Sequence, residues 1–350
     1  MSERKKTRQV SVGNVKIGGD APITVQSMLN TKTTDIEGSL AQINALKAVG
    51  CDLIRLAVPD EDSARAFGII AKKCGLPLIA DIHYNYKLAH MALDAGAKKI
   101  RMNPGNMRDF SQIKPLAERM IDMGVPVRVG VNGGSLDPKY KGTDEARALC
   151  ESALECANVF ESAGMKDIVI AIKHSDTLLN IKANRMLSGM CDYPLHIGVT
   201  EAGTLRTGLV KSAIGIGTLL SEGIGDTIRV SLSTNVCEEV LAGKKILQTL
   251  GLRKNAVEVV ACPTCARTEI DVEGLANKVE TMTAGINKPL KISVLGCPLN
   301  GIGEGEHSDL GIAGGKEKSV ILLHGKIYKT VPSERLMQEF EKILQDVLSN

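Results

Sequence analysis

Between residue 23 and about residue 250 a single unit repeats along the chain: a short apolar run, a few turn residues, then an amphipathic stretch of helical period. The apolar runs fall at 23–25, 53–56, 78–82, 99–102, 127–131, 168–172, 195–199 and 227–230. Helical periods separate them at 39–49, 62–73, 88–95, 110–123, 145–163 and 178–188, and near 210–221 and 237–250. Eight β-then-α units in this length predict an α/β fold, the (β/α)8 TIM barrel. A doubly wound open sheet usually has fewer strands, and no G-x-G-x-x-G opens the first helix here. Residues 10–17 read as a hairpin with a Gly13-Asn14 turn, placed to close the barrel floor.

After residue 250 the rhythm changes. Residues 251–256 read as a linker. An apolar run at 257–261, a helical stretch at 269–282 and a strand at 290–295 follow. A glycine-rich loop is expected over 296–316, then strands at 319–323 and 327–331 and a helix at 333–348. The chain should therefore divide into a substrate-binding barrel, 1–252, and a small α+β domain, 253–350.

Charge and aromatic content exclude some functions. The formal net charge is only +3, and four Phe, five Tyr and no Trp offer little base-stacking surface, so nucleic acid is not an expected partner. Arg4, Lys5, Lys6 and Arg8 read as a solvated basic tail, because no apolar run follows them as in a secretory signal. No stretch approaches the ~18 apolar residues of a membrane span. A cytoplasmic protein is expected, in which nine cysteines are core thiols, metal ligands or catalytic groups rather than disulfides.

Cys262-Pro-Thr-Cys265 brings two thiolates within reach of one metal, and Cys297 lies at the end of a predicted strand. Soft thiolates select zinc or an iron–sulfur centre. No second C-x-x-C completes a zinc site, and Glu304 and His307 are the candidates for a fourth ligand. An oxygen ligand would leave one iron harder and more exchangeable than its neighbours, as suits a cluster that also meets substrate. Spacing alone leaves zinc and a redox thiol pair open. Cys51, Cys74, Cys150, Cys156, Cys191 and Cys237 read as core thiols.

The second constellation sits at strand ends, which open onto the active face of such a barrel. Arg55, Arg101, Arg128 and Arg229 fall there, and Lys211 follows the seventh strand, where barrels often bind phosphate. Converging guanidiniums call for an anion, and their forks fit phosphate oxygens. Gln26, Ser27, Asp81, His83, Asn103, Asn132, Lys173, His196 and Thr200 share these positions. Glu201 closes its strand and should point into the mouth as a proton donor. His174-Ser175-Asp176 is no triad, because adjacent residues cannot form that relay.

These stretches closely resemble the bacterial two-domain 4-hydroxy-3-methylbut-2-enyl diphosphate synthase family. The likeness runs through Val25-Gln-Ser-Met28, Asp52-Leu-Ile-Arg-Leu-Ala-Val-Pro59, Ala80-Asp-Ile-His83, Ile100-Arg-Met-Asn-Pro-Gly-Asn106 and Arg128-Val-Gly-Val-Asn132. It continues in His196-Ile-Gly-Val-Thr-Glu-Ala-Gly203, Lys211-Ser-Ala-Ile-Gly-Ile-Gly217, Gly223-Ile-Gly-Asp-Thr-Ile-Arg-Val-Ser231 and the cysteine motifs. The resemblance implies a two-electron reductive ring opening of 2-C-methyl-D-erythritol 2,4-cyclodiphosphate in isoprenoid biosynthesis. It implies a [4Fe-4S] cluster on Cys262, Cys265, Cys297 and Glu304, and flavodoxin or ferredoxin as electron donor. Arg55, Arg101, Arg128 and Lys211 match the family's diphosphate binders, with Asn103, Asn132, His83 and His196 beside them. Glu201 matches its acid–base carboxylate. A head-to-tail homodimer is implied, with one subunit's cluster domain capping the other's barrel. Where the family reads Cys-Val-Val-Asn-Gly-Pro-Gly-Glu, this chain has Cys297-Pro-Leu-Asn-Gly-Ile-Gly-Glu304: the ligand spacing is kept and the proline has moved. The alternative is a barrel lyase or isomerase of a phosphorylated substrate with a structural zinc domain.

Overall fold

A computed structural model describes residues 2–83, 85–103, 110–136, 138–140, 142–286 and 288–349. The chain forms two compact units, Met1–Leu252 and Arg253–Asn350.

The first unit opens with a hairpin, β1 (Val10–Val12) and β2 (Val15–Ile17), turning at Gly13 with φ 60°. Then come β3 (Thr24–Met28), α1 (Ile36–Ala48), β4 (Leu53–Ala57), α2 (Glu61–Cys74), β5 (Leu78–Asp81), α3 (Tyr86–Asp94), β6 (Lys99–Met102) and α4 (Ile113–Asp122). The alternation continues through β7 (Val127–Asn132), α5 (Glu145–Ser162), β8 (Ile168–Lys173), α6 (Thr177–Met190), β9 (His196–Ile197), α7 (Leu205–Ser221), β10 (Thr227–Ile228) and α8 (Val236–Thr249). All eight strands from β3 to β10 are parallel. The ring closes because β10 pairs with β3 and an isolated parallel bridge joins Ile170 of β8 to Leu195, the residue before β9. This is the expected barrel.

Side-chain caps set where the helices start. Asp60, Asp144 and Asp176 accept N–H bonds from Ser63, Arg147 and Leu179, each satisfying an orphan donor of a first turn. The apolar faces of the helices pack on the strands' outer residues to make the main core. Val12, Val15 and Ile17 of the hairpin meet Leu53 and Ile79 in a separate cluster, a plug beneath the barrel. The basic tail does not stay in solvent as expected. Arg4 pairs with the buried Asp226 at 2.6 Å, and Arg8 pairs with Glu161 and Asp192 and stacks on Tyr193. Tertiary partners lying more than 150 residues away turn this tail into a strap. Among the described residues no helix is long and apolar enough to cross a membrane.

The second unit is one five-stranded sheet in the order β11 (Val257–Ala261), β12 (Leu290–Leu295), β13 (Leu310–Ala313), β14 (Lys318–Leu323), β15 (Lys326–Pro332). Helices α9 (Val272–Thr283), α10 (Pro298–Glu304) and α11 (Leu336–Ser349) accompany it. The glycine-rich stretch 296–316 is therefore not a loop, for it holds α10 and β13. Most of its glycines serve close packing instead. A Cβ at Gly301 would lie 3.0 Å from the Ala313 Cβ and 3.1 Å from the Leu295 Cβ.

Candidate active site

Alternate residues of a strand face the barrel interior. Direct register pairing puts Arg101 beside Asp81 and Arg128, Met28 beside Arg55, and Asn132 beside Lys173. The C-terminal mouth therefore gathers Arg55, Asp81, Arg101, Arg128 and Lys173, all buried, with Arg229 following β10. Arg101 Nη1 donates to Asp81 Oδ1 at 2.9 Å, and Arg55 Nε stands 3.5 Å from Oδ2. Arg229 is held by Glu239 of α8 at 3.2 Å.

Among the described residues six buried or nearly buried cations, with Lys99 counted among them, thus face two carboxylates, Asp81 and Glu239. The excess shows in unpartnered atoms. Arg128 Nε and Nη1, Arg101 Nε and Lys99 Nζ are buried with no hydrogen-bond partner among the described residues. Burial first, and then Arg55 and Arg101, hold the Arg128 guanidinium well below its ordinary value. Burial likewise lowers Arg55, to about 10. Burial alone would raise Asp81, but Arg55 and Arg101 outweigh it and keep the carboxylate below its usual range. A fixed concentration of uncompensated positive charge is costly unless an anion completes it.

Two glycines make this crowding possible. A Cβ on Gly130 would sit 3.1 Å from Arg101 Nε and 3.3 Å from Arg128 Nη2. One on Gly198 would meet the Arg229 carbonyl oxygen at 2.4 Å and Lys173 Nζ at 2.7 Å. Since the carbonyl belongs to the neighbouring backbone, Gly198→Ala is expected to destabilise the barrel by about 1–3 kcal/mol. Calorimetry of the variant checks this; an unchanged unfolding midpoint would show slack between β9 and β10.

The other expected residues distribute unevenly. Asn103 lies buried after β6, Asn132 ends β7, and His83 follows β5, close enough to Asp81 to influence its charge. Residues 104–106 of the Asn-Pro-Gly-Asn stretch lie outside the described residues. Glu201 is exposed on the loop after β9 with φ 51°. A left-handed non-glycine residue costs of order 1–3 kcal/mol and often marks a functional position. His196 is fully buried beneath the mouth, its Nε2 3.2 Å from Lys173 Nζ. Lys211 does not join the strand-end cluster. It is half-buried on α7, near enough to Asp176 to lower that carboxyl. The lysine that the strands bring to the mouth is Lys173, which alternation along β8 singles out once the inward face is known.

In the second unit β11 and β12 run parallel in register, so Cys262 and Cys297 follow the C-terminal ends of neighbouring strands. Cys262 Sγ accepts the Gly296 N–H at 3.1 Å. Cys265 is exposed, and backbone N–H donation from Arg267, aided by Thr268, lowers its thiol below the ordinary value. Cys297 is the residue before α10, whose first position is the displaced Pro298, a place where proline's missing N–H costs nothing. Glu304 ends that helix, and a cavity of about 350 Å³ is lined by Cys262, Lys291, Ser293, Glu304, His307 and Ser308. Among the described residues no three His, Cys, Asp or Glu side chains converge closely enough to hold a metal ion. By contrast, Cys51, Cys150 and Cys156 are pushed up to about 12 by burial and are inert packing thiols.

The GcpE TIM-barrel domain profile matches residues 7–244, and the GcpE protein C-terminal domain profile matches residues 258–346. The chain belongs to the GcpE family. It is 50% identical over 349 residues to a relative from Caldanaerobacter subterraneus subsp. tengcongensis, covering 99% of this chain and 98% of that one. A relative from Corynebacterium efficiens is 49% identical, covering 97% of this chain and 91% of its own. Both are named 4-hydroxy-3-methylbut-2-en-1-yl diphosphate synthase (flavodoxin). Among solved structures, dihydropteroate synthase from Stenotrophomonas maltophilia superposes with a TM-score of 0.53 at 17% identity, covering 70% of this GcpE chain and 98% of its own. That likeness is one of barrel fold alone.

Proposed function

We propose that this protein is a 4-hydroxy-3-methylbut-2-en-1-yl diphosphate synthase. It opens the ring of 2-C-methyl-D-erythritol 2,4-cyclodiphosphate to give (E)-4-hydroxy-3-methylbut-2-enyl diphosphate. The reading is carried by the excess of buried cation at the barrel mouth, which asks for a multiply charged anion. Near-full-length identity to relatives of that name supports it. Flavodoxin, in the relatives' name, is a redox partner, and a lyase or isomerase with structural zinc has no use for one.

Arg55, Arg101 and Arg128 hold the diphosphate, with Lys173 as a further cation and His83, Asn103 and Asn132 orienting the ligand. Lys211 serves the rim. Water is excluded by the buried walls of the same cluster. The reaction takes two electrons and two protons, breaks a ring C–O bond and releases one hydroxyl as water. Glu201, exposed at the mouth, protonates that departing oxygen.

Cys262, Cys265, Cys297 and Glu304 would hold a [4Fe-4S] cluster. The donor set of soft thiols and one carboxylate fits it, as do the lowered Cys265 thiol, the N–H donated to Cys262 and the cavity beside Glu304. When bound, the cluster passes on single electrons received from flavodoxin or ferredoxin. A head-to-tail homodimer would bring one subunit's cluster domain to the other's barrel. All nine cysteines are free, in keeping with a reducing cytoplasm.

Protein purified without oxygen is expected to carry about four irons and four sulfides per chain. With reduced flavodoxin it should convert the cyclic diphosphate. One zinc and no sulfide would overturn the reading. Glu201→Gln should bind the cyclic diphosphate as tightly as the parent and turn over roughly a hundredfold more slowly. Parental turnover in that variant would remove Glu201 from the chemistry.

A further inference from the structure

Two arginines converge on one methionine at the side of the mouth where β10, β3 and β4 adjoin. Met28 is the last residue of β3, half-buried, and stands in register with Arg55 on β4. Its Sδ accepts Arg55 Nη2 at 2.6 Å and Arg55 Nε at 3.1 Å. Arg229, which follows β10, brings its Nη1 to 4.0 Å from the same sulfur. The thioether thus meets both guanidiniums, yet the reaction as described gives it no part.

The other acceptors beside these arginines are carboxylates. Asp81 Oδ2 stands 3.5 Å from Arg55 Nε, and Glu239 takes Arg229 Nη2 at 3.2 Å and Nε at 3.3 Å. Ser27 Oγ and the Leu232 N–H donate to the same Glu239, so that carboxylate is itself fixed. A carboxylate aligns a guanidinium and cancels its charge in the same contact. A thioether sulfur accepts an N–H weakly and carries almost no charge. Nε and Nη2 share one edge of the planar guanidinium, so Met28 holds that edge of Arg55. Among the described residues no hydrogen bond engages Arg55 Nη1, which leaves that end of the fork for an incoming oxygen. Burial lowers Arg55, to about 10, and Arg229 adds to this against the pull of Asp81. The positive charge gathered here is therefore costly, and a second carboxylate in place of Met28 would relieve it at the expense of the ligand.

We propose that Met28 is a positioning residue for the diphosphate: its thioether aligns Arg55, with Arg229 beside it, and neutralises neither. It acts through Arg55. Holding the guanidinium in place before the ligand arrives removes the side-chain ordering that binding would otherwise cost.

The inference rests on the mouth being the diphosphate site, and the test separates the two. Titration calorimetry of the oxygen-free holoenzyme with the cyclic diphosphate, without reductant, compares the parent with three variants. Met28→Leu keeps the apolar volume and removes the acceptor, and its Kd is expected to rise about tenfold. Met28→Gln supplies a neutral acceptor of similar length and should hold Kd within about threefold of the parent. Met28→Glu keeps the glutamine shape and adds a charge that pairs with both arginines, so its Kd should rise about a hundredfold. A side chain that only fills space gives a different order, because leucine replaces methionine at little cost and a polar amide does not. Parental affinity in the leucine variant, or weaker binding by glutamine than by leucine, would overturn the role. Should the leucine variant fail to fold, equal affinities for glutamine and glutamate would still overturn it, since the neutrality of the acceptor would then not matter. No binding by the parent would instead sink the diphosphate reading itself.

Discussion

Arg128→Leu should weaken binding of the cyclic diphosphate by roughly a hundredfold and, in the same protein, raise the unfolding temperature of the ligand-free barrel. The two effects have opposite sign because one side chain causes both. Arg128 is buried among Arg55, Arg101 and Lys173, and its Nε and Nη1 find no partner among the described residues. Exchanging such an unpaired buried ion for an apolar side chain of similar volume is expected to stabilise the fold by about 1–2 kcal/mol. When the diphosphate is bound, the same guanidinium becomes half of a charge-assisted contact in a water-poor site. Removing it then costs about 3 kcal/mol, which is the hundredfold. Calorimetric titration and thermal unfolding of one preparation read both numbers. Unchanged affinity would mean that Arg128 does not face the anion. A lowered unfolding midpoint would mean that the cluster is held together by interactions worth more than its repulsion.

Cys297→Ala should lose iron, sulfide and turnover together, with turnover falling by roughly a thousandfold or more, while the barrel's secondary structure is unaffected. Cys297 follows β12 beside Cys262 on the neighbouring strand, and it is the thiol that no local motif supplies. A cluster deprived of one of three thiolates has no soft donor nearby to replace it. Cys150→Ala is the matched control. That thiol is buried on α5, pushed up to about 12 by burial, and donates to the Ala183 carbonyl. Its loss should cost only a small cavity and leave iron content and rate at the parental level. Full iron in the Cys297 variant would remove this residue from the ligand set. Iron loss in the Cys150 variant would mean that general destabilisation, not ligation, explains the first result.

The barrel was legible because its signal is periodic. Apolar runs alternating with helical stretches recur eight times, and each strand from β3 to β10 overlaps the run that announced it. The short strands β9 and β10 were read too long, since only two residues of each make ladder contacts. The stretch 296–316 misled for a different reason. Glycine usually marks turns, but Gly301 is present because α10 packs too closely on β12 and β13 for a side chain. Nothing in the glycine itself distinguishes the two uses.

The sequence by itself determined the fold class, the split near residue 252, the three cysteines worth grouping and the arginines at strand ends. These follow from spacing along the chain, and local order carries that information. Only the tertiary structure decided that Lys173 rather than Lys211 joins the arginines, and that His196 lies beneath Lys173 instead of facing the mouth. It also decided that Lys99 is buried with no hydrogen-bond partner among the described residues and that Arg4 is strapped to Asp226. Those facts depend on which strand neighbours which, on the register that turns alternate side chains inward, and on ring closure that brings together residues far apart in the chain. Charge burial arises only at that stage, because a lysine's cost is set by the groups folded around it and not by its neighbours in sequence.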